Sequence, residues 1–365
     1  MEKAKVQMEI EEFFKKKVEK DPKIRNAYLL VHSDKHGIDF NLATGKEAIA
    51  AQQPYYIASV SKLFTSVLFA QLVEQGICSY EDKIAQYLDE DILKNLHIYK
   101  EKDYTNEIKI KHLLNNTSGL HDFFEEKPLK GTSIPDLIVD EPNRTWTPLE
   151  VINWAKENLK SHFPPGEGFH YSDTGYHLLG FILEKITGVP FHEVLRKNIF
   201  EPLDMKHSRF SRTQPLEASP YEVAKLYNRN AEVSTNESMS IVFAGGGIVS
   251  TTGDLLKFMK ALVNGQLLKA ETIEKMKTDW GKFFLGIDYG YGVMNIKTVP
   301  VLMPAKYNSW GNAGSTGSFM FYHPATDAYI IGTLNQFGYG QKGIRIMLQI
   351  ADKLLKATKK AKVLL

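Results

Sequence analysis

Ser59 and Lys62 stand three residues apart at the head of an apolar segment, Ser59-Val60-Ser61-Lys62-Leu63-Phe64-Thr65-Ser66-Val67-Leu68. On a helix this spacing puts both side chains on one face. A serine hydroxyl is a poor nucleophile until a base takes its proton. A lysine can be that base where desolvation favours its neutral amine. A helix N-terminus adds backbone N–H groups and a partial positive charge, both suited to a developing oxyanion. The plainer alternative makes Ser59 an N-cap and Lys62 a solvated first-turn cation. The segment that follows is apolar nearly all round, up to a stop at Gly76, so a solvated lysine fits it poorly.

Two further stretches carry polar groups of interest. Phe163 to Asp173 contains Tyr171 and Asp173 just ahead of a helical pattern that ends at Gly188. Here Asp173 reads as the N-cap of a helix opening at Thr174, and Tyr171 as a loop aromatic. Asn312-Ala313-Gly314-Ser315 precedes a hairpin. Gly245-Gly246-Gly247 lacks the Lys-Ser/Thr pair of a phosphate-binding loop and reads as a tight turn. His170, His177 and His192 show no metal-ligand spacing such as His-Glu-x-x-His.

The elements that must position these groups fall into a simple order. Residues 1–20 pattern as a helix. Ala27–His32 and Ile38–Leu42 read as an antiparallel hairpin around a turn cluster at 34–37. Residues 121–147, with prolines at 128, 135 and 142, read as one long irregular loop. Thr147-Pro148-Leu149-Glu150 is a helix start. Strand patterns return at Tyr289–Ile296, Ser318–Tyr322 and Ala328–Leu334, before a last helix from about 342 to 360. Strands near both ends with helices between them predict an α+β fold, an antiparallel sheet flanked by helices. The expected division is 1–76 with 241–365 as the sheet domain, and 77–240 as an inserted helical lobe. The site then falls at their interface.

With 365 residues the chain can bury a large core, and 43% apolar against 24% charged residues is an ordinary globular balance. A net charge of +2 gives no one-sided field for nucleic acid or an anionic membrane. No run of eighteen apolar residues occurs, so no membrane span is expected. Cys78 is the only cysteine, which excludes an internal disulfide and a cysteine-based metal site. The first twenty residues lack the apolar core of a secretion signal, and the expected location is the cytoplasm, or outside it if a signal has been removed.

Taken together, Ser59-Val60-Ser61-Lys62, Tyr171-Ser172-Asp173 and Asn312-Ala313-Gly314 resemble the three ordered motifs of serine β-lactamases and penicillin-binding proteins. The similarity is to the branch of class C β-lactamases, D-alanyl-D-alanine carboxypeptidases and related esterases, over roughly residues 25–340. The resemblance implies an acyl-enzyme hydrolase without cofactor or metal, acting on a small ester, amide or peptide. It implies Ser59 as nucleophile, Lys62 as its base partner, and Tyr171 as the proton carrier to the leaving group. The backbone N–H groups of Ser59 and Ser315 would form the oxyanion hole, beside Gly314, and Asn312 would face substrate from an edge strand. Two positions depart from the pattern. The second motif usually ends in Asn, and a carboxylate at Asp173 would favour the ammonium form of Lys62. The third usually begins with Lys or His, and Asn312 offers a hydrogen bond without charge. This favours esterase or peptidase chemistry over a true β-lactamase. The other reading is a ligand-binding or sensor protein, either non-catalytic or acylated without turnover. Ala313-Gly314-Ser315-Thr316-Gly317 also resembles a nucleophile elbow, but no histidine follows His323, so the α/β-hydrolase order fails.

Overall fold

The computed structural model describes residues 2–299 and 304–363. Helix α1 (Glu2–Glu19) turns Val6, Ile10, Phe14 and Val18 inward, a four-residue repeat that makes one apolar stripe. Strands β1 (Ala27–Ser33) and β2 (Ile38–Thr44) form the expected hairpin, with Gly37 left-handed in its turn. Helix α2 (Ser61–Glu74) is buried continuously from Ser61 to Ala70. Phe64 stacks on Phe258 with ring centres 3.7 Å apart and meets the edge of Phe200. The helix stops where Gly76 takes φ +72°, and the Ile77 N–H closes the end on the Leu72 carbonyl.

The middle of the chain is largely helix and loop, and it includes α3 (Asp173–Thr187), capped by Gly188 in the left-handed conformation. Helix α4 (Thr252–Val263) follows. Six strands come next: β3 (Gly281–Phe284), β4 (Ile287–Tyr289), β5 (Met294–Ile296), β6 (Ser309–Ala313), β7 (Phe319–His323) and β8 (Ala328–Thr333). Helix α5 (Gly340–Val363) closes the fold. The sheet order is β3-β4-β5-β6-β7-β8-β1-β2, antiparallel throughout, so the first hairpin joins the last strands in one eight-stranded sheet. Alternation sorts the two faces: Leu29 and Val31 pack with α1 and α5, while Tyr28 and Leu30 pack towards α2 and α4. The α+β expectation holds. Among the described residues no helix is long and apolar enough to cross a membrane.

Two expectations need correction. Tyr289–Ile296 is not one strand but the end of β4, a turn and β5. Gly290 bonds across that turn to the Val293 carbonyl, and a Cβ on it would lie 2.0 Å from the Met276 carbonyl oxygen. Residues 121–147 are not irregular throughout. They contain a helix, Ile134–Asp140, whose Pro135 occupies the first turn where no N–H is required. Phe123, Ile134 and Ile138 are buried in a third apolar cluster, so the segment is packed rather than loose.

Since Phe64 is fully buried between two rings, Phe64→Ala is expected to cost about 3–5 kcal/mol of stability. Urea unfolding should show a lower midpoint at an unchanged slope.

Candidate functional site

Ser59 does not lie on α2 itself. It sits in a 3-10 turn, Ala58–Val60, immediately before it, and makes no capping bond with its side chain. The turn begins at Ala58, whose φ of +48° is unusual for a residue with a Cβ. It is held from outside. The Ile57 N–H donates to the Ile248 carbonyl at 3.1 Å, and the Ser318 hydroxyl donates to the Ile57 carbonyl at 2.7 Å. The N-cap alternative for Ser59 is therefore not realised.

Lys62, in the first turn of α2, has no solvent exposure. Its Nζ donates to the Ser59 Oγ at 3.1 Å and to the Gly245 carbonyl at 2.8 Å, and it pairs with the Asp173 carboxylate. Three N–H donors thus meet three acceptors. Asp173 is not the N-cap expected for α3. Ser172, in extended conformation, takes that place and accepts from the Gly175 N–H at 3.0 Å. Asp173 becomes the first helical residue, with its carboxylate free to reach Lys62. The Asp173 N–H donates to Asp122 at 2.9 Å.

Tyr171 closes the cluster from the other side. Its ring centre lies 4.9 Å from Lys62 Nζ, and it lines the same groove as Ser59. Burial, then the charge of Asp173, push the phenol well above its ordinary value, so it rests protonated. Asp122 is buried and receives the N–H groups of Asp173, Phe124 and Glu125. Burial and the neighbouring Asp173 charge still raise it well above the usual carboxylate range.

Gly314 brings the end of β6 against the Ser59 turn. A Cβ there would lie 2.8 Å from Ala58 Cβ and 2.9 Å from the Ser59 nitrogen, so only glycine permits the approach. Ser315 follows in a turn closed by the Gly317 N–H on the Gly314 carbonyl at 3.0 Å. Asn312 departs from expectation. β6 is the fourth strand of eight, not an edge, because β3, β4 and β5 lie outside it. Asn312 is wholly buried, and its amide donates to the Gly292 carbonyl at 2.8 Å and the Tyr289 hydroxyl at 3.3 Å.

Ser59 lies where two cavities meet. A groove of about 310 Å³ is lined by Ser59, Glu125, Tyr171, Phe283, Gly314 and Ser315, among others, and by no Lys or Arg. A narrow side pocket of about 30 Å³ runs beneath it between Phe123, Phe124, His177 and Phe243. A larger hollow of about 590 Å³ lies between α1 and α5, but among the described residues no Ser, Thr or Cys lines it. The chemistry, not the volume, therefore marks the site.

Reading the sequence alone misses Gly245, Asp122 and Tyr289. Gly245 acts through its carbonyl, and its visible trace is only the glycine run: a Cβ there would lie 2.9 Å from Asp173 Oδ1 and 3.2 Å from Lys62 Nζ. Asp122 and Tyr289 act through partners distant in sequence and leave no local pattern. The histidines judged by spacing also change company, since His170 meets His162 and Glu126 in space.

An antiparallel sheet with a Ser-Lys-Tyr cluster between it and a helical region defines the broad class. The Beta-lactamase family pattern matches residues 14–354, and the chain belongs to that family. Penicillin-binding protein 4* of Bacillus subtilis is 28% identical over 277 residues, covering 70% of this chain and 55% of that protein. The chain thus spans about half the length of that relative. The D-amino acid amidase of Ochrobactrum anthropi SV3, solved with D-phenylalanine, aligns with a TM-score of 0.75 at 23% identity, covering 97% of this chain and 99% of the other. EstCE1, described as a hydrolase with promiscuous acyltransferase activity, gives a TM-score of 0.75 at 20% identity over 97% and 98% of the two chains. These two structures share the fold.

Two histidines packed around the site are held neutral by burial: His177 is pushed down to about 3 and His121 to about 4. Both titrate near 6.5 when unfolded. Their contribution is complete above that value and is lost as pH falls towards the folded values. Stability should therefore drop between about pH 6.5 and 4. His177→Gln, which keeps a donor for the Ile241 carbonyl, should make the slope shallower by about 1.4 kcal/mol per pH unit. Chemical denaturation across this range reads the slope, and an unchanged slope contradicts the assignment.

Proposed function

We propose that this protein is a serine hydrolase that works through an acyl-enzyme on small esters or amides. The observation that carries the reading is Ser59 Oγ, 3.1 Å from a fully buried Lys62, in a groove that Tyr171 also lines. In this reading the enzyme reacts with Lys62 as a neutral amine: Ser59 Oγ attacks the substrate carbonyl and its proton passes to Lys62 Nζ. The Ser59 and Ser315 N–H groups receive the oxyanion. Tyr171 gives its phenol proton to the departing alcohol or amine and takes one back from Lys62. Water then enters, loses a proton to Lys62 as it attacks the acyl carbon, and the acid leaves as that proton returns to Ser59.

Substrate charge follows from the groove lining. With Asn312 buried and no Lys or Arg on the wall, nothing there attracts a substrate carboxylate. This supports esterase or amidase chemistry rather than capture of penicillins. The family and its amidase and esterase neighbours are consistent with that choice.

Intact mass after exposure to a short p-nitrophenyl ester, a penicillin and a fluorophosphonate should show an adduct that disappears in Ser59→Ala. The ester should turn over with a larger kcat/KM than the penicillin. The reverse order would sink the substrate assignment, and no adduct from any reagent on folded protein would favour a binding protein.

Asp173 adds a second expectation. Lys62 Nζ has three acceptors around it, one of them the Asp173 carboxylate. Asp173→Asn should move the acidic limb of the pH–kcat/KM profile to lower pH. An unmoved limb would leave Asp173 with a structural role alone.

A further inference from the structure

Glu126, His162 and His170 converge at the surface of the helical region, outside the catalytic cluster. His162 Nε2 lies 3.0 Å and His170 Nε2 2.6 Å from Glu126 Oε1, and the three ligand atoms all fall within 4.8 Å of one another. We propose that these three side chains form a binding site for one divalent transition-metal ion of the zinc type, taken by two imidazole nitrogens and one carboxylate oxygen.

The geometry is close to what such an ion needs. Metal–ligand bonds of about 2.0–2.2 Å in a tetrahedron put ligand atoms about 3.2–3.6 Å apart. The observed separations require shifts of an ångström or so. The imidazoles stack with ring centres 3.6 Å apart and planes 24° from parallel, so the rings must turn out of the stack for both Nε2 lone pairs to meet one ion. Their backbones are pinned to a single loop. The His162 N–H donates to the Gly119 carbonyl at 2.8 Å, that of Gly166 to Thr117 at 2.7 Å, and that of His170 to Asn116 at 2.9 Å. The two ligands are thus held in place by main-chain bonds and not by their own pairing.

The acceptor side points the same way. Glu126 Oε1 faces both imidazoles and also the Asp122 N–H at 2.6 Å. Three donors crowd one oxygen, whereas one cation bound there would satisfy both imidazole nitrogens at once. Two nitrogens and one oxygen suit zinc, cobalt or nickel better than the all-oxygen preference of magnesium or calcium. The side chains are 35%, 27% and 23% exposed for His162, His170 and Glu126, so an ion can enter from solvent and keep water as its fourth ligand.

The site is also tied to the groove. His170 adjoins Tyr171, and Glu126 Oε1 holds the Asp122 N–H while Asp122 holds that of Asp173. The binding proposal does not depend on the hydrolase reading, because its readout does not involve Ser59.

The full chain, stripped with a chelator and dialysed, is titrated with Co(II) and followed by visible absorption. The expected result is a d–d band that saturates at one equivalent and is displaced by Zn(II). His162→Ala/His170→Ala should abolish the band, and Glu126→Gln should weaken binding tenfold or more, both with a circular dichroism spectrum like that of the parent. No saturable band in folded parent protein, or equal affinity in the double variant, would overturn the proposal.

Discussion

The site depends on keeping Lys62 out of water. A lysine head group without exposure is tolerable only when its hydrogen-bonding groups are matched, and its three acceptors come from three separate places in the chain. Each place exists because of a local backbone device. Ser59 is offered by a turn that starts from a left-handed Ala58. Asp173 is offered because Ser172 takes over the N-cap of α3. The Gly245 carbonyl can come close because no Cβ stands between it and the Lys62–Asp173 pair. Removing any one device leaves a buried charge short of a partner. Packing of the helical region on α2 is thus coupled to a charge balance as well as to apolar area.

The sheet contributes the other half. Its central strands bring Gly314 to within van der Waals distance of the Ser59 turn, and the Ser318 hydroxyl fastens the following hairpin to the Ile57 carbonyl. The Ser59 turn therefore has one side set by helices and the other by strands. Both N–H groups proposed for the oxyanion belong to backbone fixed by long-range hydrogen bonds, which suits a preorganised charge-stabilising site. A loop free to relax would lose that advantage.

Much of this was legible in the sequence, and the misses have physical causes. The apolar stretch after Lys62 marked a buried helix, and the hairpins at 27–44 and 318–334 followed from alternation and turn residues. Tyr289–Ile296 misled because alternation continues through a two-glycine turn, and only the Met276 backbone packed against Gly290 reveals the break. Asp173 misled because Ser172 and Asp173 are both good caps, and local chemistry does not choose between them; the buried Lys62 does. Asn312 misled because strand position in a sheet is a property of the whole topology: three short strands, β3 to β5, lie outside β6, and β3 had left too weak a pattern to be read.

Asn312 belongs to the same balance. Its amide is bonded to the Gly292 carbonyl and Tyr289 hydroxyl. The backbone at Gly292 in turn lies against the Lys62 carbonyl and Ser66. A cation in place of Asn312 would be a second buried positive charge near Lys62, facing neutral acceptors, in a region whose one paired carboxylate, Asp173, already serves Lys62. A neutral amide satisfies the same two acceptors without that cost. A neutral residue at 312 is therefore consistent with how this core balances its charges, and a cation there would need a second carboxylate or an opening to solvent beside it.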